Sequence, residues 1–282
     1  MTCIAKEEGI NNVEIKLLAV DIDETSVNNK HRVTKKTEEA LKAAIERGVC
    51  VVPVTGRNLE GLPAPYRKMD LSYVIASNGA KIYDVGQSKV LSRKLISNDV
   101  ACKVLKYCQN EKVMLAVQTE GKCYDESWPL MCYRLFFYHG DFKPHKRVPD
   151  LYGWTKASGK LIEKIQVFSF DQKRLKEIKQ ALSVFPTLEL ALSTSGYIEI
   201  THKKAQKGLA LEHLCEHLQI PMEQVMAIGD NANDISMLSK AGIAVAMGNA
   251  KEEVKQIADF VTTSNDEDGV ANAIAKYILD EG

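Results

Sequence analysis

Two aspartates one residue apart close a short apolar run: Leu17-Leu18-Ala19-Val20-Asp21-Ile22-Asp23-Glu24-Thr25. The run predicts a strand, and in an open α/β sheet ligands bind beyond the carboxyl ends of strands. Were the strand to continue, Asp21 and Asp23 would share one face, because side chains two apart point the same way. Their like charges would then call for a cation beside them. Taken alone, a polar exit from a strand explains the pair equally well. A second strand end reads Val54-Thr55-Gly56-Arg57. Threonine offers a hydroxyl, glycine lets backbone N–H groups approach an anion, and arginine adds charge, although Thr-Gly is also ordinary turn chemistry. A third reads Ala227-Ile228-Gly229-Asp230-Asn231-Ala232-Asn233-Asp234. Asn233 and Asp234 could simply cap the next helix. Two carboxylates with amides at a strand end nevertheless make a hard oxygen donor set that suits Mg²⁺. Lys207 opens a predicted helix, where a cation is unfavourable unless an anion accompanies it. The neighbouring Lys203 and Lys204 read as a solvated basic loop.

Elements that could position these residues alternate at both ends of the chain. The first part predicts strands at Lys16–Val20, Val49–Val54 and Tyr73–Ala76. Between the first two lies a helix over Thr34–Arg47, with Thr34 as N-cap and Gly48 as stop. The last part predicts helices at Ala205–Leu218, Asp234–Lys240, Lys251–Ala258 and Gly269–Leu279. Its strands are Val225–Ile228, Ile243–Ala246 and Phe260–Thr262. Apolar strands alternating with helices imply a doubly wound, Rossmann-like parallel sheet. The middle holds both tryptophans and predicts strands at Val113–Gln118, Lys164–Phe170 and Leu188–Leu192. Helices there are predicted at Ser97–Gln109 and Asp171–Ser183, an α+β module inserted into the α/β core.

The order Asp21-Ile22-Asp23-Glu24-Thr25, Thr55-Gly56-Arg57, Asn78-Gly79-Ala80, Lys207-Gly208 and Gly229-Asp230-Asn231-Ala232-Asn233-Asp234 resembles the haloacid dehalogenase-like phosphatases. It is most similar to their Cof-type branch, which carries a large C2-type cap between the second and third motifs. The resemblance implies a catalytic core from residues 1–86 and 199–282, with residues 87–198 as a cap that selects the substrate. It implies Asp21 as nucleophile and Asp23 as general acid and then base. Ile22, Thr55, Gly56, Lys207 and Asn233 would hold the phosphate. Mg²⁺ would be ligated by Asp21, the Asp23 carbonyl and Asp230, and Asp234, Arg57 and Asn78 would support the site or the substrate. Glu24 and Ser26 stand where the family most often has Gly and Leu, and Ala232 where this branch commonly has Glu.

Other signals are set aside. His213-Leu214-Cys215-Glu216-His217 fits an inverted zinc-peptidase motif. The apolar stripe Leu211, Leu214, Cys215 and Leu218, however, turns both histidines to the opposite, solvated face. Leu135-Phe136-Phe137-Tyr138 reads as cap core. Across 282 residues, 37 Lys+Arg balance 37 Asp+Glu, so nothing points to nucleic acid or an anionic membrane. The apolar runs are too short to span a bilayer, and the first residues do not read as a secretory signal. Seven cysteines without a C-x-x-C pair read as reduced thiols, and a cytoplasmic enzyme is expected. The expected activity is hydrolysis of a small phosphorylated metabolite such as a sugar phosphate. A phosphomutase or phosphotransferase, or a catalytically silent binding protein, are the alternatives. The silent protein would be expected to have lost Asp21, Asp23, Lys207 or Asp230, and all four are present.

Overall fold

The computed structural model describes residues 13–130, 146–193 and 196–279. The chain opens with β1 (Leu17–Val20), a tight turn over Ile22–Ser26, α1 (Lys35–Glu46), β2 (Cys50–Pro53), the short α2 (Ala64–Lys68), β3 (Tyr73–Ala76), β4 (Lys81–Asp84) and β5 (Lys89–Arg93). There follow α3 (Asn98–Gln109), β6 (Met114–Thr119), β7 (Lys122–Asp125), β8 (Lys146–Arg147), α4 (Leu151–Ser158), β9 (Lys164–Phe168), α5 (Gln172–Leu182), β10 (Leu188–Ser193) and β11 (Tyr197–His202). The chain closes with α6 (Lys207–Leu218), β12 (Val225–Gly229), α7 (Ile235–Leu238), β13 (Ile243–Ala246), α8 (Glu252–Lys255), β14 (Phe260–Val261) and α9 (Gly269–Tyr277). It forms two compact units. Among the described residues one comprises residues 13–57, 62–92 and 206–279, and the other residues 58–61, 93–130, 146–193 and 196–205.

The first unit is built on a five-stranded sheet in the order β14-β13-β12-β1-β2, parallel at every pairing. β1, β12 and β13 are buried along their whole length, which is why their sequences are unbroken apolar runs. Each fully buried Leu or Val contributes about 1.5–3 kcal/mol. The chain leaves β1 for β2 on one side and returns to β12 on the other. The exits of these three strands therefore form the switch point where such sheets bind ligands. α1 starts as the sequence predicts, with the Thr34 hydroxyl accepting from the Thr37 N–H at 3.1 Å. β3, β4 and β5 form a separate small sheet, of which the sequence predicted only β3. The predicted helix over Lys251–Ala258 shrinks to the four residues of α8, and that over Asp234–Lys240 to the four of α7.

The second unit is a six-stranded sheet in the order β10-β11-β9-β6-β7-β8, antiparallel except where β8 joins β7. Alternate residues Leu115/Val117, Ile165/Val167, Leu188/Leu190 and Ile198/Ile200 share one core with Val104, Leu105 and Cys108 of α3 and with Leu175, Ile178 and Leu182 of α5. This period of two is what a sheet covered by helices on one face requires. Trp154 adds its ring against Tyr124, at 4.2 Å between centroids. Cys3, Cys132 and the aromatic run Leu135–Tyr138 lie outside the described residues, and the cysteines described are free thiols. Among the described residues no helix is long and apolar enough to cross a membrane.

Candidate active site

β1, β2 and β12 end side by side. The Asp21 N–H donates to the Ile228 carbonyl at 3.0 Å and the Val54 N–H to the Val20 carbonyl at 2.9 Å. This lateral pairing brings Asp21, Thr55 and Asp230 to one sheet edge, although they are far apart in sequence. α6 then delivers Lys207 from its first turn. Its ammonium is buried, bonded to Asp21 Oδ1 and, at 2.6 Å, to Asp234 Oδ1. These are the anions that a lysine at a helix N-terminus requires. The approach depends on Gly208, where a Cβ would lie 1.9 Å from the Ser236 carbonyl oxygen. Gly229 is equally constrained, because a Cβ there would lie 2.6 Å from the Asp234 side chain.

Asp234 is wholly buried. Its Oδ2 accepts from the N–H groups of Asp230 and Asn231, both at 3.0 Å. It does not cap α7, contrary to the plainer reading; it closes the turn before that helix and binds Lys207 with its other oxygen. Asp21, Asp230 and Asp234 each present a carboxylate oxygen within 4.8 Å of the others, and all three are buried. This is the one His/Cys/Asp/Glu cluster among the described residues that could hold a metal ion. Burial raises the Asp21 pKa well above the usual carboxylate range. Lys207 opposes this, and Asp234 and Asp230 reinforce it. Asp230 is pushed up to about 7 by burial, against the pull of the Thr25 hydroxyl and with Asp234 and Glu24 adding to the rise. For Lys207, burial acts to lower the pKa but is outweighed by Asp21 and Asp234, so it stays protonated. Three carboxylates facing one ammonium leave an excess of negative charge, and the donors are all hard oxygens. A divalent cation such as Mg²⁺ fits this set.

The remaining predicted residues lie around this cluster in two settings. Asp23 does not share a face with Asp21. Ile22 is wholly buried between them, Glu24 turns the chain at φ 56°, and the Asp23 side chain is 53% exposed. Its carboxylate accepts from Arg57 Nε at 3.1 Å to both oxygens and from Nη2 at 2.6 Å. Each aspartate of the first motif thus has its own cationic side chain beside it, Lys207 for Asp21 and Arg57 for Asp23. Thr55 is buried, and its hydroxyl oxygen accepts from the Arg57 N–H at 3.1 Å, leaving the O–H to donate. Gly56 faces the Asn78 amide, whose Oδ1 accepts from Asn233 Nδ2 at 3.1 Å.

Three side chains beside the cluster were not assigned from sequence. Thr25 donates its hydroxyl to Asp230 Oδ1 at 2.7 Å across 205 residues of chain. Its place in the first motif was the available signal. Ser26 donates to the Asp21 carbonyl at 3.0 Å. Tyr66 is buried close by: burial raises its pKa, the Ser26 hydroxyl acts against the rise and the Asp21 charge adds to it. Nothing in the residues around Tyr66 signals this placement. His213 and His217 are exposed, as the helical stripe implied. With Glu216, Ile82, Leu91 and Leu214 they line a groove of about 390 Å³ that contains none of the cluster residues.

A family model for haloacid dehalogenase-like hydrolases matches residues 18–274. The phosphatase YwpJ of Bacillus subtilis is 32% identical over 287 residues, covering 94% of this chain and 100% of that protein. The 5-amino-6-(5-phospho-D-ribitylamino)uracil phosphatase YcsE of the same organism is 31% identical over 270 residues, covering 95% and 98%. The crystal structure of a haloacid dehalogenase-like hydrolase from Bacteroides thetaiotaomicron superposes with a TM-score of 0.83 at 25% identity, covering 93% of this chain and 99% of that one. The chain belongs to the haloacid dehalogenase-like hydrolases.

Proposed function

We propose that the protein is a Mg²⁺-dependent phosphatase that hydrolyses a small phosphorylated metabolite through an aspartyl phosphate on Asp21. The observation that carries this reading is the buried Asp21–Lys207–Asp234 array with Asp230 beside it, at the exits of adjacent parallel strands. A carboxylate approaching a phosphate dianion meets repulsion, and a fixed lysine offsets it without reorganising during the reaction. An Asp21 oxygen bonds to phosphorus as the bond to the leaving oxygen breaks, and Asp23 gives that oxygen its proton. Asp23 then takes a proton from water as the water oxygen attacks phosphorus, releasing phosphate and restoring Asp21. Dividing one displacement into two lowers each barrier. Ile22, Thr55, Gly56, Lys207 and Asn233 hold the phosphoryl oxygens. Mg²⁺, held by Asp21, the Asp23 carbonyl and Asp230, supplies charge neutralisation when bound. For Asp23 to act, its pairing with Arg57 must open, so we assign Arg57 to the substrate side of the cycle. Asn78 steadies Asn233, and Asp234 steadies Lys207.

The unit containing residues 93–205 is assigned the role of a cap that selects the leaving group, since none of the named chemistry residues comes from it. A relative named for a phosphorylated ribitylaminouracil supports a substrate of metabolite size. The test is phosphate release from a panel of phosphorylated metabolites. Turnover that chelation abolishes and Mg²⁺ restores, with Ca²⁺ failing to replace it, is expected. Turnover unchanged by chelation, or none on any ester, contradicts the reading.

A further inference from the structure

We propose that Asn249 is a positioning residue for the cation site, acting with Asn265 as a clamp that fixes the two ligand-bearing loops relative to each other. This rests on the reading above, in which the Asp23 carbonyl and Asp230 are ligands. Neither asparagine belongs to the motifs singled out in the sequence. Asn249 lies in the short loop that leaves β13, and this loop touches both ligand-bearing segments. The Lys251 N–H donates to the Asp230 carbonyl at 3.1 Å. Asn249 Nδ2 donates to the Glu24 carbonyl at 2.8 Å. One five-residue span, Met247 to Lys251, thereby holds the main chain of Asp230 and of the turn after Asp21. The Met247 N–H bond to the Gly229 carbonyl, 3.0 Å, anchors the span to the sheet.

The Asn249 amide is itself fixed. Its Oδ1 accepts from the Asn265 N–H at 2.9 Å. Asn265 is buried, and its Nδ2 donates to the Val27 carbonyl at 3.0 Å and to Asn29 Oδ1 at 3.3 Å. The turn is therefore gripped at Glu24, at Val27 and at Asn29. It needs gripping, because Glu24 has φ 56° and ψ 5°. A residue with a side chain pays about 1–2 kcal/mol for that left-handed conformation. The Asp23 carbonyl lies in the peptide plane between Asp23, with ψ 131°, and Glu24, with φ 56°, so its direction depends on both angles. Asn249 holds the Glu24 carbonyl in the next plane, which limits the angles Glu24 can take and so restrains the carbonyl before it. Because Asn249 is exposed, the fold does not depend on its packing.

Asn249→Asp tests this, since it keeps the size and the acceptor for Asn265 but replaces the amide donor with a carboxylate facing the Glu24 carbonyl. Asn249→Ala is the second variant. Removing a partner that orients a metal ligand costs roughly 10–100-fold in metal affinity or activity. Calorimetry with Mg²⁺ alone is expected to show binding weakened about 10-fold or more. The Mg²⁺ needed for half-maximal phosphate release should rise in parallel, with kcat recovering at saturating Mg²⁺. Asn272→Ala is the control: it removes bonds to Thr263 and to the Glu267 carbonyl in the same terminal region but outside the clamp. It should change stability without changing Mg²⁺ affinity. If both Asn249 variants bind Mg²⁺ as tightly as the wild type, or lose only thermal stability, the clamp is refuted. If the wild type itself binds no Mg²⁺, the assignment of the cation site is refuted, and the clamp's role falls with it.

Discussion

At the floor of the site Asp21 is buried, bonded to a lysine that is itself 1% exposed and shared with Asp234. At the rim Asp23, only two residues on, is half exposed and paired with an arginine side chain that is 29% exposed. Both are carboxylate–cation pairs of good geometry, yet their energetics differ in kind. Breaking a buried pair by removing one partner costs about 3–5 kcal/mol, because it strands the other charge. An exposed pair is worth about 0–1 kcal/mol. The floor is thus a fixed electrostatic frame built into the fold, while the rim pair can open and reform within a catalytic cycle. That suits the roles proposed for them: a nucleophile needs a preorganised surround, and a residue that both gives and takes a proton needs access to water and leaving group.

The largest effect should follow from breaking the frame. Lys207→Met should lower kcat/KM by on the order of 10³-fold or more, comparable with the loss of a transition-state charge donor. It should also destabilise the metal-free protein by about 3–5 kcal/mol. Denaturant unfolding together with steady-state kinetics checks both parts, and a fully active variant of normal stability would erase the distinction between floor and rim. At the rim, Asp23→Asn should cost about 10²–10⁴-fold in turnover, the range for a general acid–base. Stability should stay within about 0.5 kcal/mol, as for surface substitutions. Mg²⁺ binding should survive, because the ligand proposed there is a main-chain carbonyl, and calorimetry on that variant decides the point.

A pH series sharpens the same contrast without mutation. Asp230 and Asp21 have raised pKa values in the folded protein, Asp230 to about 7. An unfolded aspartate titrates near 3.9. The folded state therefore binds more protons in this window, and the stability linked to these groups is complete below about pH 4 and lost as pH rises through about 7. The metal-free protein should melt at a lower temperature at pH 8 than at pH 5.5, and the gain on adding Mg²⁺ should be larger at pH 8. A gain that shrinks with rising pH would contradict the charge excess at the floor. Arg57→Ala should also have a small effect on stability, within about 1 kcal/mol by denaturant unfolding.

The floor was far more legible in the sequence than the rim. β1, β12 and β13 announce themselves because strands buried on both faces are apolar without interruption. Their ends then place Asp21 and Asp230 with little ambiguity. Lys207 could be read only because the other three motifs supply the anions that a cation at a helix start requires. The rim and its supports depend on turns that no periodicity encodes. Asp23 turns to Arg57 while Asp21 meets Lys207, in an irregular turn that goes on through a left-handed angle at Glu24, and the proposed clamp residues Asn249 and Asn265 lie in loops with no pattern of their own. Short strands such as β4, β7 and β8 were missed because two to four residues of mixed polarity carry no usable alternation. α8 came out shorter than predicted, with only Val254 of its four residues buried.

The most direct test is to quench the enzyme during turnover with its best phosphate ester and Mg²⁺, treat it with borohydride, and map the product by mass spectrometry. An acyl phosphate is reduced to an alcohol, so a phosphorylated aspartate becomes homoserine. Conversion at position 21, dependent on substrate and absent from Asp21→Asn, is the predicted result. Conversion at Asp23 or Asp230 instead, or none at all in an enzyme releasing phosphate at full rate, would show that Asp21 is not the nucleophile.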